Sequence, residues 1–425
     1  MRRTFMVFVC CLSVLAGHAQ LTLKQCQELA QQNYPLVKRY DLIAQAREYN
    51  LSNASKGYLP QFTLSGKATY QSDVTKLPVD FDALGKKLGM AIDVPTLNKG
   101  QYSVALEVDQ NIYDGGHVRS QQKLAHAEAD IDQGRQEVDM YALRRQVNQL
   151  YFGILLLDEQ LRQNTLLAAD LERTHQQVSA YIKNGIASQA DIDAVSVEIL
   201  STQQQRVGLE ASRTAYLQML SLFVGKELSG NTLEMPTDRP VAHPFDNHRP
   251  ELRLFDAQAA QLGAQNAALN ARLRPSLGAF VQGAYGNPGI DMLKSKPSAY
   301  YVAGLRLSWN FGALYTRRND LRLIDNARQQ IAISRDVFLF NTRLQSTQEQ
   351  STLASLRKQM RDDDEVIRLR GNVRKAAEAK VANGTMTVTD LLRDITAENL
   401  ARNTKATHRV QLLKQLYDWN DTMGN

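Results

Sequence analysis

The sequence predicts a mainly α protein with a membrane β-barrel portion. Long coiled-coil helices would form a helical barrel, and four β-strands per chain would complete a twelve-stranded barrel in a homotrimer. Three observations carry this prediction. Landmarks of the first half recur in the second; four segments of 11 or 12 residues alternate polar and apolar side chains; and long proline-free stretches space their apolar residues by three and four.

The first element is a leader. Arg2 and Arg3 precede an apolar run from Phe5 to Leu15, and Ala16-Gly17-His18-Ala19 follows. A basic start, a run shorter than the ~20 residues a spanning helix needs, and small residues at the end read as a secretory signal peptide, residues 1–19, cut after Ala19. Cys10 and Cys11 would leave with it, so Cys26 is the sole mature cysteine and no intramolecular disulfide is expected. The net charge of +6 drops to about +4 without the two leader arginines, too mild to argue for a nucleic-acid partner. With 22% charged residues and a mean hydropathy of −0.37, polytopic helical membrane proteins are excluded.

The duplication comes next. Pro35 and Pro60 are 25 residues apart, as are Pro250 and Pro275, and each pair brackets a helical stretch in which Asp41 matches Asp256. Asn184-Gly185, five residues and Asp191 recur as Asn383-Gly384, five residues and Asp390. This order predicts a first repeat over 20–235, a linker over 236–248 and a second repeat over 249–425.

Each repeat carries two strands. Over 61–71, Phe62, Leu64, Gly66, Ala68 and Tyr70 share one face, and 102–113 behaves alike. In the second repeat 300–311 alternates cleanly, whereas 276–286 is weaker because Phe280 breaks the pattern. The opposite faces carry Lys67, Glu107, Asp109 and Arg306. Eleven residues suit a tilted strand crossing a bilayer. The remainder reads as long helices over about 116–183, 188–223, 315–382 and 387–420, with seams such as Val147, Leu150, Ile154, Leu157, Leu161 and Ile324, Ala327, Ile331, Ser334, Phe338. At ~1.5 Å per residue the longest reach roughly 100 Å. Each Asn-Gly motif marks a helix end and chain reversal, a tip near 185 and another near 384.

Four strands cannot close a transmembrane barrel, because lipid tolerates no open edge and the smallest barrel has eight strands. Two copies would supply eight, with a filled interior, and three would supply twelve, with an open lumen. The apolar faces would then meet outer-membrane lipid and the polar faces would line water.

This plan resembles the TolC family of outer-membrane efflux and secretion channels over nearly the whole mature chain. The resemblance rests on Leu21-Thr22-Leu23-Lys24-Gln25-Cys26, Asn33-Tyr34-Pro35, Gly57-Tyr58-Leu59-Pro60, Ile112-Tyr113-Asp114-Gly115-Gly116, Lys183-Asn184-Gly185 and Ala382-Asn383-Gly384, in that order and spacing. It implies a homotrimer in the outer membrane of a Gram-negative bacterium, extending into the periplasm. It also implies a periplasmic adaptor and an inner-membrane pump of RND, ABC or MFS type as partners. By the same resemblance, Asn184, Gly185, Asp191, Asn383 and Gly384 sit at the tips where the adaptor docks. Asp390, with Asp394 one turn on, would face the axis as an acidic constriction, raised in pKa by three-fold proximity. The family pattern departs here: Arg393 stands where some members carry a second aspartate, and Val381 and Met386 stand where members with a polar latch carry tyrosine and arginine.

No HExxH, CxxC, GxSxG or Walker loop occurs, so no enzyme activity, cofactor or metal is expected. His243 and His248 share the linker, but surface histidines are the plainer reading. Asp362-Asp363-Asp364-Glu365 reads as a solvated helix face or a break. The rival readings are a periplasmic coiled-coil adaptor or a soluble scaffold without a pore. An adaptor would show one helical hairpin and soluble β modules, not two hairpins with two strand pairs.

Overall fold

A computed structural model describes residues 20–75, 78–79, 81–90, 97–228, 232–237, 247–291 and 296–424. The leader reading over 1–19, and His243 in the linker, lie outside them. In chain order the elements are α1 (Leu23–Asn33), a 3₁₀ turn (Pro35–Lys38), α2 (Arg39–Ser55), β1 (Gln61–Tyr70), α3 (Phe81–Leu88), β2 (Gly100–Tyr113), α4 (His117–Lys183), α5 (Gln189–Val224), α6 (Pro250–Arg272), β3 (Ser276–Asn287), β4 (Ser298–Ser308), α7 (Ala313–Ala382) and α8 (Val388–Met423). The four long helices begin and end within three residues of the expected bounds. Two strand readings shift and one helix is new. β3 is an unbroken strand despite Phe280, β4 stops at Ser308 so that Trp309 to Phe311 fall outside it, and α3 lies between β1 and β2 where no element was expected.

The chain forms two compact units that cut across the repeats: residues 1–40, 134–253 and 335–425 make a helical unit, and 41–133 with 254–334 make a unit holding the sheet. The four strands are antiparallel in the order β1-β2-β3-β4, which leaves β1 and β4 as edges.

The helical unit has two cores. One gathers Cys26, Val147, Tyr151, Phe152, Ile154, Leu220 and Leu413, so Val147, Leu150 and Ile154 of the α4 seam read from the sequence lie in it, while Leu157 and Leu161 do not. The motifs of the first repeat act as its clasps. Thr22 caps α1, where Gln25 N–H donates to Thr22 Oγ1 at 3.2 Å and Thr22 N–H to Gln25 Oε1 at 3.0 Å. Asn33 Nδ2 donates to the carbonyls of Leu222 and Phe223 at 3.1 and 3.2 Å, closing the C-terminus of α5, while Tyr34 stacks on Phe223. In the sheet unit Asp114 takes the Gly116 and Val118 N–H groups at 2.9 and 2.7 Å. Gly115 and Gly116, at φ +69° and +90°, let the chain turn from strand into helix there.

Near the C-terminus of α8, Asp421 is buried, its side chain 3% exposed, with Arg144 at 3.5 Å. Asn148 Nδ2 donates to it at 2.6 Å. Burial outweighs the arginine and pushes the carboxyl up to about 6. A carboxyl raised in this way favours the folded state fully below its ordinary value near pH 4, and that contribution fades as pH rises to about 6. Asp421→Asn, which keeps the acceptor and drops the charge, is therefore expected to gain about 3 kcal/mol relative to the unsubstituted chain between pH 4 and 6. Thermal melts across that range check this; a difference independent of pH would rule out a buried, titrating Asp421.

Candidate functional site

The sheet has two chemically different faces, and its register creates them. Directly opposed residues of antiparallel strands share a face. Phe62 pairs with Val108 and Leu64 with Leu106, Val108 with Val281 and Val104 with Tyr285, Val281 with Ala303 and Leu277 with Leu307. All of these fall on one side, and that side is bare: Phe62, Leu64, Leu305 and Leu307 are about 70% exposed. A bare apolar face over four strands needs a cover. Each strand also carries one tyrosine on this face, Tyr70, Tyr102, Tyr285 and Tyr301, and Tyr113, Trp309 and Phe311 stand at the opposite ends, the last two with ring centroids 4.7 Å apart.

The other face gathers polar groups. The register puts Lys67, Glu107, Asp109 and Arg306 on it. Arg306 reaches across β3, donating from Nη2 to Glu107 Oε1 at 2.8 Å and from Nη1 to Asp109 Oδ1 at 3.0 Å. Its guanidinium lies 4.8 Å from the centre of the Phe280 ring. This explains the broken alternation: Phe280 is an aromatic floor under a cation on the polar face. Lys67 is exposed on the same face.

The helical unit brings the two Asn-Gly turns together. Val178 and Val195 flank one turn, Val381 and Val388 the other, and all four are buried in a single cluster with Leu171, Leu391, Leu392 and Ile395. The turns are built alike. Gly185 N–H donates to Ile182 O at 3.0 Å and Ile186 N–H to Tyr181 O at 2.9 Å; Gly384 N–H donates to Val381 O at 3.0 Å and Thr385 N–H to Lys380 O at 2.9 Å. These are paired Schellman closures, with the glycines at φ +75° and +71°. Around either glycine the space is open, so conformation alone selects glycine there.

Ser188 and Thr387 cap the returning helices, and Asp191 and Asp390, three residues on, bond back to them. Ser188 donates from N and Oγ to Asp191 Oδ2 at 2.8 and 2.7 Å. Thr387 Oγ1 donates to Asp390 Oδ2 at 2.8 Å and accepts from Asp390 N–H at 3.2 Å. Asp390 also meets Arg393 at 3.4 Å, so the charge that departs from the family pattern partly neutralises the charge that keeps it. Asp394 is half-buried one turn on. Val381 is 3% exposed and Met386 packs on the same cluster; the two positions where a polar latch would sit contribute apolar packing instead.

Sequence reading missed the ion network above this cluster. Arg374 on α7 donates to Asp170 of α4 at 2.6 Å and to Glu378 at 2.9 Å, and lies 3.4 Å from Glu398 of α8. Asp170 and Glu398 hold Arg173 and Arg402 as second partners. The four-acid run lies within α7, where Asp363 meets His408 at 2.9 Å and Asp364 pairs with Lys405. It is a helix face bonded to α8, and it does not break the helix. Among the described residues no group of three or more His, Cys, Asp or Glu could hold a metal ion, and no helix is long and apolar enough to cross a membrane.

With this geometry in hand, residues 27–226 match the profile of the outer membrane efflux protein family. No curated protein matches the sequence. Among solved structures the chain is similar to the outer-membrane channel OprN, at 15% identity and a TM-score of 0.68 over 95% of this chain and 90% of that one. It is also similar to the CmeC outer membrane channel of Campylobacter jejuni, at 13% and 0.64 over 95% and 85%, and to the outer membrane protein VceC of Vibrio cholerae, at 13% and 0.67 over 94% and 96%. At such identities the likeness is one of fold.

Proposed function

We propose that the chain is a member of the outer membrane efflux protein family, whose profile matches residues 27–226, and that three copies form a channel-tunnel of the outer membrane, the exit duct of a tripartite efflux pump or a type I secretion system. The observation that carries this reading is the two-faced sheet. An apolar face bare over four strands and bounded by aromatic side chains at both ends suits lipid, with aromatics at the two interfaces. Its reverse, with Lys67, Glu107, Asp109 and Arg306, suits a wet lumen. Two free edges and four strands demand further copies, and three copies close twelve strands around an open passage.

The chain is a conduit and not an enzyme. Substrate choice then lies with its partners: an inner-membrane pump of RND, ABC or MFS type, reached through a periplasmic adaptor at the turns of Asn184-Gly185 and Asn383-Gly384. Asp191 shapes the first of these turns. The paired Schellman closures support this role, since they present two matched, exposed loops on one packed end. Asp390 and Asp394, repeated three times about the axis, set the charge of the periplasmic mouth, offset in part by Arg393.

Fractionation and planar-bilayer conductance test the reading. The protein is expected in the outer-membrane fraction as a trimer in mild detergent, forming cation-preferring pores whose selectivity falls in Asp390→Asn. Recovery in the soluble periplasmic fraction would sink the channel in favour of a scaffold or adaptor. Pores with unchanged selectivity would remove only the role of Asp390.

A further inference from the structure

Charge is scarce on the sheet, and all of it lies on one face. The four strands carry four charged side chains, Lys67 on β1, Glu107 and Asp109 on β2 and Arg306 on β4, and β3 carries none. Three of the four meet in one clamp. Arg306 straddles Glu107 and Asp109, so one guanidinium faces two carboxylates and a single negative charge remains. The arginine is supported from beneath. Its guanidinium lies over the Phe280 ring, and that ring lies against Gly304, where a Cβ would come within 3.1 Å of it.

The fourth charge stands apart. Lys67 shares its rung of the ladder with Ser103, Gly286 and Ser298, none of them acidic. Along β2 that rung is four residues from Glu107 and six from Asp109, about 13 and 20 Å. Both distances exceed the ~8 Å over which a charge is felt at physiological ionic strength, so Lys67 does not neutralise the clamp. The two lie toward opposite ends of the strands. Arg306 is two residues before the end of β4, from which the chain passes into α7, and Lys67 is three residues before the end of β1, where the strand meets its loop. The composition of the clamp is also more than a tie needs. Arg306 with Glu107 alone would join β4 to β2 and leave no charge; Asp109, on the same strand as Glu107, joins no further strand and adds only charge.

We propose that this clamp is a charge filter of the barrel, favouring cationic over anionic solutes, with Arg306 as the residue that limits its strength. This rests on the trimeric channel reading, in which the clamp occurs three times around the lumen near the helices. Rings of carboxylates favour cations, and substitutions on the lumen face of a barrel tune its selectivity. Lys67 forms a separate, positive ring toward the other mouth.

Reversal potentials of the full chain in planar bilayers test the filter, under a potassium chloride gradient from about 0.01 to 0.1 M, where a charge is felt over ~10–30 Å. Arg306→Gln is expected to raise the potassium-to-chloride permeability ratio about twofold, and Asp109→Asn, which keeps an acceptor for the arginine, to lower it about twofold. Arg306→Lys, which keeps the charge and loses the fork, should match the unsubstituted chain. Both shifts should persist in an Asp390→Asn background and vanish near 1 M salt, where the reach shrinks to ~3 Å. Equal ratios in all variants, or one shift shared by Arg306→Lys and Arg306→Gln, would overturn the filter and leave the channel standing. Variants that lose their pores altogether would overturn it too, since the clamp would then be a fastening of the sheet. An unsubstituted chain that forms no pores would instead remove the channel reading beneath it.

Discussion

Replacing Arg374 by alanine is expected to destabilise the protein by about 3 kcal/mol, the lower end of the range for breaking a buried charge network. The guanidinium is 16% exposed and serves Asp170, 19% exposed, and Glu398, 6% exposed, on two other helices. Alanine would leave both carboxylates in a dry place with one cation fewer. The cost stays at the low end because Arg173 and Arg402 still pair with them. Arg374→Lys should fall between, since an ammonium cannot fork to three carboxylates on three helices. Denaturant unfolding of the purified protein measures the loss. A change below about 1 kcal/mol would mean that water reaches these carboxylates and the network is a surface one.

Leu64→Arg is expected to prevent assembly in the membrane, while Ser65→Arg, one residue on, leaves it intact. Leu64 is 72% exposed on the apolar face, opposite Leu106, and Ser65 lies on the reverse beside Ala105. An arginine on the lipid side near mid-strand costs about 2–4 kcal/mol, and a trimer would incur it three times. The same side chain on the wet side meets water. The amount of trimer recovered from the outer-membrane fraction reads the contrast directly. Equal recovery of both variants would contradict the assignment of faces.

Much of this fold is legible in the sequence because its elements are long and strictly periodic. The strand pairs announce themselves by alternation and the helices by an absence of proline, and each half repeats the other. What stayed hidden depends on partners far along the chain. Phe280 looks like an error in a strand until Arg306, 26 residues on, is seen over its ring. Arg374 and Asp170 are 204 residues apart, beyond any spacing rule. The alternation overruns the strand end at Ser308 because Trp309 and Phe311 continue it without continuing the ladder. The asparagine of Asn33-Tyr34-Pro35 closes α5, nearly 190 residues away, which no local spacing announces. At the tips the turns were legible from their Asn-Gly motifs, whereas the packing of Val381 and Met386 was not.

The four tyrosines of the apolar face have a geometrical consequence for the closed pore. Gly100, the ladder partner of Tyr70, lies two residues before Tyr102; Val104, the partner of Tyr285, lies two residues after it; and Gly283, the partner of Tyr301, lies two residues before Tyr285. From strand to strand the tyrosines therefore step by two residues, about 6.6 Å along a strand for each ~4.8 Å across. If they mark one level water–lipid boundary, the strands must lean by about 54° from the pore axis, steeper than the 35–45° usual in barrels. Twelve strands leaning that far enclose a wider circle than twelve upright ones, so the bore of the duct is inscribed in the stagger of four side chains.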